Sequence, residues 1–295
     1  MYQLILLLNF SFFLIVGCTE EKEKIPQGQF ITDDLQNKFE IEKVPQRVIV
    51  LAPNLTELLF ELGEGKKIVG NTSFCNYPDS AKIIPDVADL LSVNLESISS
   101  LRPDLIFISA EGNSKGEYIK LKDLGFKVFV SNPRHYKGIK KTMLDMGKIF
   151  KKEELSEKII DGWDQKIEDI RNKHEEVILN SVMFLISTKP IISVGKNSFI
   201  HQILTYAGLK NITADSDVSY PVFSREEVLL RNPDFLLLYE TNTNNVNDLL
   251  EIYPEWNILS AVVNGRVIYI NADLYSRPGP RFVHAVEDLF NRITK

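Results

Sequence analysis

The sequence predicts an α/β fold of two lobes, each built on a parallel-rich sheet, bridged by one long α-helix, with a ligand cleft between them. Three observations carry this. Short apolar runs alternate with helical stretches in both halves. A segment of the first half can be laid over a segment of the second without a gap. Between the halves lies a proline-free stretch, dense in Lys and Glu, that keeps an apolar stripe at helical spacing. With 295 residues the chain is long enough for two lobes with cores of their own. Its net charge of -6 and lack of a basic stripe exclude non-specific nucleic-acid binding.

Taken in order, residues 1–18 form "MYQLILLLNFSFFLIVGC", an apolar run closed by Gly17-Cys18 and followed by the polar "TEEKEK". The run is too short to span a bilayer and has the form of an export signal. Residues 19–46 supply a polar tether and a hairpin turning near residues 33–37. The first lobe, 47–135, opens with a buried strand at 47–51 and a helix in "PNLTELLFELG", with Asn54 or Thr56 as N-cap and Gly63 as stop. Further strands are expected in "KIVG", "DLIFIS" and "KVFVS", with helices at 94–101 and 116–124 between them.

The connector, 136–177, is helical, with a break near residues 151–154. In the second lobe, 178–295, "SVMFLIS", "PIISVG", "FLLLYE" and "RVIYIN" read as strands, and "SFIHQILTYAG" as a helix ended by Gly208. The duplicated segments are "NLESISSLRPDLIFIS" and "SREEVLLRNPDFLLLY". Laid together, Asn94 meets Ser224, Glu96 meets Glu226, Ile98 meets Val228, and Pro103-Asp104 meets Pro233-Asp234. Each reads as a capped helix, a Pro-Asp turn and a buried strand. Two α/β lobes on a stiff helical connector imply a cleft of limited opening.

Enzyme motifs are absent: the chain has no GxSxG elbow, Walker A run, HExxH or glycine-rich dinucleotide loop. "SVGKNS" lacks the spacing of a phosphate loop. Cys18 and Cys75 provide neither a disulfide framework nor a CxxC motif. The four histidines, His135, His174, His201 and His284, have no i,i+4 pair, so a zinc or manganese site is not expected. Tyr77, Tyr220 and Tyr275 are candidate ligand-binding residues, each with an aromatic face for stacking and a phenol oxygen for a polar contact. In "SRPGPR", Arg277 and Arg281 precede the last helix, where the helix dipole disfavours cations. They either pair with nearby acids, Asp273 or Asp288, or receive anionic groups of a ligand.

"RVIVLAPNLTELLFELG", "NLESISSLRPDLIFIS", the helical connector, "SVGKNSFIHQILTYAGLKNI", "YPVFSREEVLLRNPDFLLL" and "SRPGPR" stand in an order that resembles the substrate-binding proteins of ABC importers for iron-siderophores, haem and cobalamin. "TSFCNYPDSAKIIPDVADLLSVNLESI" is most similar to the cobalamin branch. The resemblance implies capture of a metal chelate, cobalamin or a related cobamide first and haem or a ferric siderophore second. It implies no enzymatic activity and no resident cofactor; the competing reading is a lipid-anchored cobamide- or siderophore-processing enzyme. It also implies that the small residue before Cys18 marks a lipobox and that Cys18 carries the lipid anchor at the cell envelope. Glu96 and Glu226 become docking residues for arginines of a two-fold symmetric permease, which works with an ATPase. In the cobalamin branch aromatics line the cleft at the positions of Phe74, Leu91, Tyr220 and Leu274; here Phe74 and Tyr220 are aromatic.

Overall fold

The computed structural model describes residues 29–89, 92–174, 180–241 and 245–294. The expected export signal, Cys18, most of the tether, Leu91 and the end of the connector lie outside the described residues. Gln29–Thr32 (β1) and Lys38–Ile41 (β2) pair antiparallel. The Asp33 carboxylate closes their turn by accepting the amides of Leu35 and Asn37.

The first lobe follows with Val48–Val50 (β3), Pro53–Glu61 (α1), Ile68–Thr72 (β4), Asp86–Ala88 (β5), Leu95–Ser100 (α2), Leu105–Ser109 (β6), Lys115–Asp123 (α3) and Val128–Ser131 (β7). The strands lie in the order β5-β4-β3-β6-β7, all parallel. Runs such as the wholly buried "LIFIS" of β6 suit a sheet covered on both faces. At α1 the capping expectation fails. Pro53 presets the helical φ and starts the helix early, so Ala52, which has no capping side chain, becomes the N-cap. Asn54 and Thr56 fall inside the helix; Thr56 donates back to the Ala52 carbonyl, and Asn54 reaches elsewhere. Gly63, at φ 77, ends the helix as expected.

The connector divides into Tyr136–Phe150 (α4) and the 22-residue Glu153–His174 (α5). Lys151 takes a left-handed φ of 54 at the break. The chain reverses there: the Tyr136 hydroxyl and the Lys140 ammonium, near the start of α4, both meet Asp164 on α5. The long helix α5 then runs on to the second lobe and packs against it.

That lobe contains Ser181–Thr188 (β8), Ile191–Ser193 (β9), Phe199–Tyr206 (α6), Lys210–Asn211 (β10), Arg225–Arg231 (α7), Phe235–Tyr239 (β11), Val246–Ile252 (α8), Ser260–Val263 (α9), Val267–Ile270 (β12), Ala272–Tyr275 (α10) and Phe282–Ile293 (α11). Strands β10-β8-β11-β12 are parallel, and β9 folds back antiparallel on β8.

The duplication extends into the hydrogen bonds. Asp104, just before β6, accepts the amides of Gln46 and Arg47 ahead of β3. Asp234, just before β11, accepts the amide and hydroxyl of Ser181 at the start of β8. Each Pro-Asp turn thus ties one central strand to its neighbour at the same register. The helices before them both end on a left-handed residue, Arg102 at φ 44 and Asn232 at φ 38.

One hydrophobic core runs through both lobes. It includes Leu58 and Phe107 of the first, Trp163 and Ile167 of α5, and Phe184 and Phe282 of the second. At the junction the Tyr136 ring stacks on Phe282, centroids 4.9 Å apart. The Tyr136 amide donates to the Gln202 side chain of α6. The lobes are therefore joined by packing as well as by one helix.

Candidate functional site

In parallel sheets the loops beyond the strand ends form the ligand-facing edge. Here a cleft of ≈ 250 Å³ opens at that edge of the first lobe, over Leu51, Thr72 and Ser109, and is walled by Ser276, Arg277 and Pro278 of the second lobe. Phe74 and Glu111 also line it. Phe74 presents a partly exposed ring. Glu111 is paired with Arg134 at 2.9 Å.

Tyr220, about half exposed, comes from the second lobe close enough to feel the Glu111 charge. Burial first, then that carboxylate, push its phenol above the usual tyrosine range, against a smaller opposing effect of Arg134. At neutral pH Tyr220 is an uncharged face with a hydroxyl, suited to stacking and hydrogen bonding.

The arginines of "SRPGPR" are answered by a residue that sequence reasoning missed. Glu57 of α1 has a side chain only 1% exposed. Arg281 grips it with two bonds, Nε to Oε2 at 2.9 Å and Nη2 to Oε1 at 2.7 Å, and Arg277 Nη1 adds a third at 3.2 Å. Arg277 further donates to Asn76 Oδ1 at 2.7 Å, to the Phe74 carbonyl at 3.2 Å and to Asp273 Oδ1 at 2.7 Å. Asn76 donates to the other oxygen of Asp273, and Asn54 donates to the Pro278 carbonyl. The result is a charge-neutral clasp in which the second lobe holds the first beside the cleft. The sequence did carry a signal for it, since two cations at a helix start require a buried or nearby acid, but not which acid.

The expected site residues therefore separate. Phe74 and Arg277 line the cleft, Tyr220 stands on the second lobe within electrostatic reach of Glu111 in the cleft wall, and the clasp commits four donor bonds of Arg277 to protein acceptors. Arg281 is corrected from ligand cation to clasp: its side chain is 14% exposed and bound to Glu57. Tyr77 covers the Arg281 guanidinium at 4.4 Å and lines a separate hollow with Phe60, Pro280 and His284. Tyr275 is corrected outright. It is fully buried, its hydroxyl donates to Asp288 Oδ2 at 2.8 Å, and it cannot meet a ligand. Of the two acids expected to pair with the arginines, Asp273 does so, whereas Asp288 is taken by Tyr275 and Arg292.

Glu96 and Glu226 stand in the first turns of α2 and α7, capped by Asn94 and Ser224. Both are exposed, and neither forms a salt bridge among the described residues. Each helix follows a loop from a strand end, so both glutamates lie on the cleft-bearing edges of their sheets. Cys75 is buried, with its sulfur against the hydroxyls of Thr56 and Thr72. His135 is exposed, and His201 is tied to Asn211. Among the described residues no group of three or more His, Cys, Asp or Glu is placed to hold a metal, and no helix is long and apolar enough to cross a membrane.

Comparison with known proteins agrees with this fold. Residues 48–274 match the periplasmic binding protein family. A vitamin B12-binding protein of Vibrio cholerae is 31% identical over 245 residues, spanning 83% of this chain and 87% of that protein. The crystal structure of the periplasmic vitamin B12 binding protein BtuF of Vibrio cholerae superposes with a TM-score of 0.74 at 30% identity, covering 85% of this chain and 97% of the other. A possible iron-binding, periplasmic solute-binding protein of Staphylococcus epidermidis gives a TM-score of 0.77 at 29% identity, covering 86% and 100%.

Proposed function

The chain belongs to the periplasmic binding protein family, a family of solute-binding proteins rather than enzymes, and on that premise we propose that it captures cobalamin or a related cobamide for an ABC importer. The observation that carries the ligand class is the interlobe cleft, lined by the partly exposed ring of Phe74, with the half-exposed ring of Tyr220 on the second lobe within electrostatic reach of its Glu111 wall, two aromatic faces suited to a flat macrocycle. Arg277 contributes to the cleft wall and holds the Phe74 backbone in place. The similarity to vitamin B12-binding relatives at about a third identity points the same way.

In this reading the loaded protein presents Glu96 and Glu226, one on each lobe, to cationic sites on the two halves of a membrane permease driven by an ATPase. The same reading places the protein outside the cytoplasm, exported by the apolar segment at 1–18 and held at the membrane through a lipid on Cys18. A haem or ferric-siderophore ligand is the second reading, favoured by the similarity to the possible iron-binding protein of Staphylococcus epidermidis.

The test is to express residues 19–295 and titrate cobalamin, cobinamide, haem and ferric hydroxamate, following ligand absorbance and quenching of Trp163 and Trp256. Saturable one-to-one binding of cobalamin or cobinamide is expected. Binding of haem or ferric hydroxamate alone would replace the cobamide reading, and no response to any of them would remove the metal-chelate class.

A further inference from the structure

The charges at the cleft are unevenly committed. Among the described residues that line it the one cation is Arg277, whose four terminal N–H donors go to Glu57, Asn76, the Phe74 carbonyl and Asp273. With Arg281 it balances the two carboxylates of the clasp, so the clasp offers a ligand no net positive charge. The acids are placed differently. Glu111 and Asp89 line the same cleft, and both are exposed. Glu111 stands on a closed turn beyond β6, where the Asn113 side chain accepts the Ser109 amide at 3.0 Å and the Ala110 amide donates to the Ser131 carbonyl of β7 at 2.9 Å. That turn fixes where the carboxylate stands. Its partner Arg134 does not line the cleft, and with side chains 58% and 52% exposed the pair is of the weakly held surface kind.

Resting on the cobamide reading above, we propose that Glu111 is a specificity-determining residue of the cleft, whose carboxylate accepts N–H donors from amides on the rim of the ligand and repels carboxylates there. The substrate class is then a macrocyclic chelate with an amide-bearing rim, as a cobamide has, rather than a carboxylate-bearing one, as haem has. An amide N–H donating to an ionised carboxylate makes a charge-assisted bond, about twice as strong as a neutral one. A ligand carboxylate brought to the same place meets Glu111 and Asp89 as like charges. The cation in the cleft lining cannot offset them, since Arg277 is already bound to two carboxylates. Selection thus comes from rejection as well as attraction.

The test is isothermal titration of the purified protein with cobinamide and with cobyrinic acid, which share the metal and the corrin ring and differ in carrying amides or carboxylates on the rim. Wild type is expected to bind cobyrinic acid at least about thirtyfold more weakly. The gap should narrow as salt is raised, because exposed charges are screened. Glu111→Gln keeps the size and one acceptor oxygen but loses the charge. It is expected to weaken cobinamide binding about threefold and to tighten cobyrinic acid binding about fivefold, with the thermal midpoint unchanged. Arg134→Gln, which leaves the Glu111 charge unopposed, is expected to widen the gap. Equal affinity of wild type for the two ligands, or a loss of the same size for both in Glu111→Gln, overturns the inference. A gap insensitive to salt does so too, since shape rather than charge then separates the ligands. Binding of neither ligand by wild type overturns instead the cobamide reading beneath it.

Discussion

Removing the Glu57 carboxylate tests the clasp most directly. In Glu57→Ala three N–H donors lose their acceptor at once, two from Arg281 and one from Arg277. The two arginine side chains are 11% and 14% exposed, so water cannot fully replace what is lost. Arg277 keeps Asp273, which is 43% exposed and a weaker compensator. Arg281 keeps only the Asp273 carbonyl and the face of Tyr77. Breaking a buried pair by deleting one partner costs about 3–5 kcal/mol, because the other charge stays buried without compensation. For a chain of this size that corresponds to a fall in thermal midpoint on the order of 10 °C. Urea denaturation of wild type and Glu57→Ala, followed by circular dichroism, measures the difference. Arg281→Ala and the double variant complete a cycle, for which a coupling of roughly 2–3 kcal/mol is expected. A loss below about 1 kcal/mol in Glu57→Ala, the range of a surface pair, would refute the reasoning.

Four further outcomes are expected. Phe74→Ala and Tyr220→Ala should each weaken cobalamin binding roughly tenfold, as truncated aromatic anchors do, with thermal midpoints unchanged; isothermal titration and a melting curve separate the two effects. Glu96→Arg combined with Glu226→Arg should abolish cellular uptake while the purified protein binds ligand as before. Acid titration should expose Asp234, whose carboxyl is held below the ordinary 3.8 chiefly by the Ser181 hydroxyl and amide. Its contribution is complete above pH 3.8 and is lost as pH falls through the lower folded value, so Asp234→Asn should flatten that part of the stability profile. Finally, X-ray scattering of free and cobalamin-loaded protein should show little compaction, because a shared core and the clasp hold the lobes together; a large ligand-induced decrease in radius would contradict this.

What the sequence makes legible follows from which forces are local. Ile, Val and Leu runs between capped helices identify the central strands, because a strand buried on both faces needs nothing else to declare itself. The Pro-Asp pairs identify the duplication, and Asp104 and Asp234 perform the same task in both copies. Strand direction is not written in the same way: "PIISVG" resembles the other apolar runs, yet β9 returns antiparallel on β8 because only two residues separate them. Tyrosine burial is equally invisible. Tyr220 and Tyr275 each sit in a polar loop sequence, but Tyr275 finds Asp288 thirteen residues on and disappears into the core, whereas Tyr220 stays half exposed near Glu111. Arg277 and Arg281 announce a negative partner, and the partner comes from a helix more than two hundred residues earlier in the chain.

The position of that partner changes how the cleft must work. Parting the lobes far enough to separate Glu57 from both arginines forfeits three charge-assisted bonds, offset in part by the water that reaches the separated groups. Arg277 also holds the Phe74 carbonyl, so the same separation displaces an aromatic wall of the cleft. Cleft geometry and lobe geometry are therefore one equilibrium, and the clasp favours the closed form before any ligand enters. Ligand binding has little motion left to drive, and release requires an agent that acts on both lobes. In the docking reading Glu96 and Glu226 are the handles for it, because each stands on one lobe at the same edge as the cleft. A permease that binds both corners with a preference of a few kcal/mol for the parted lobes would be enough to break the clasp and empty the site.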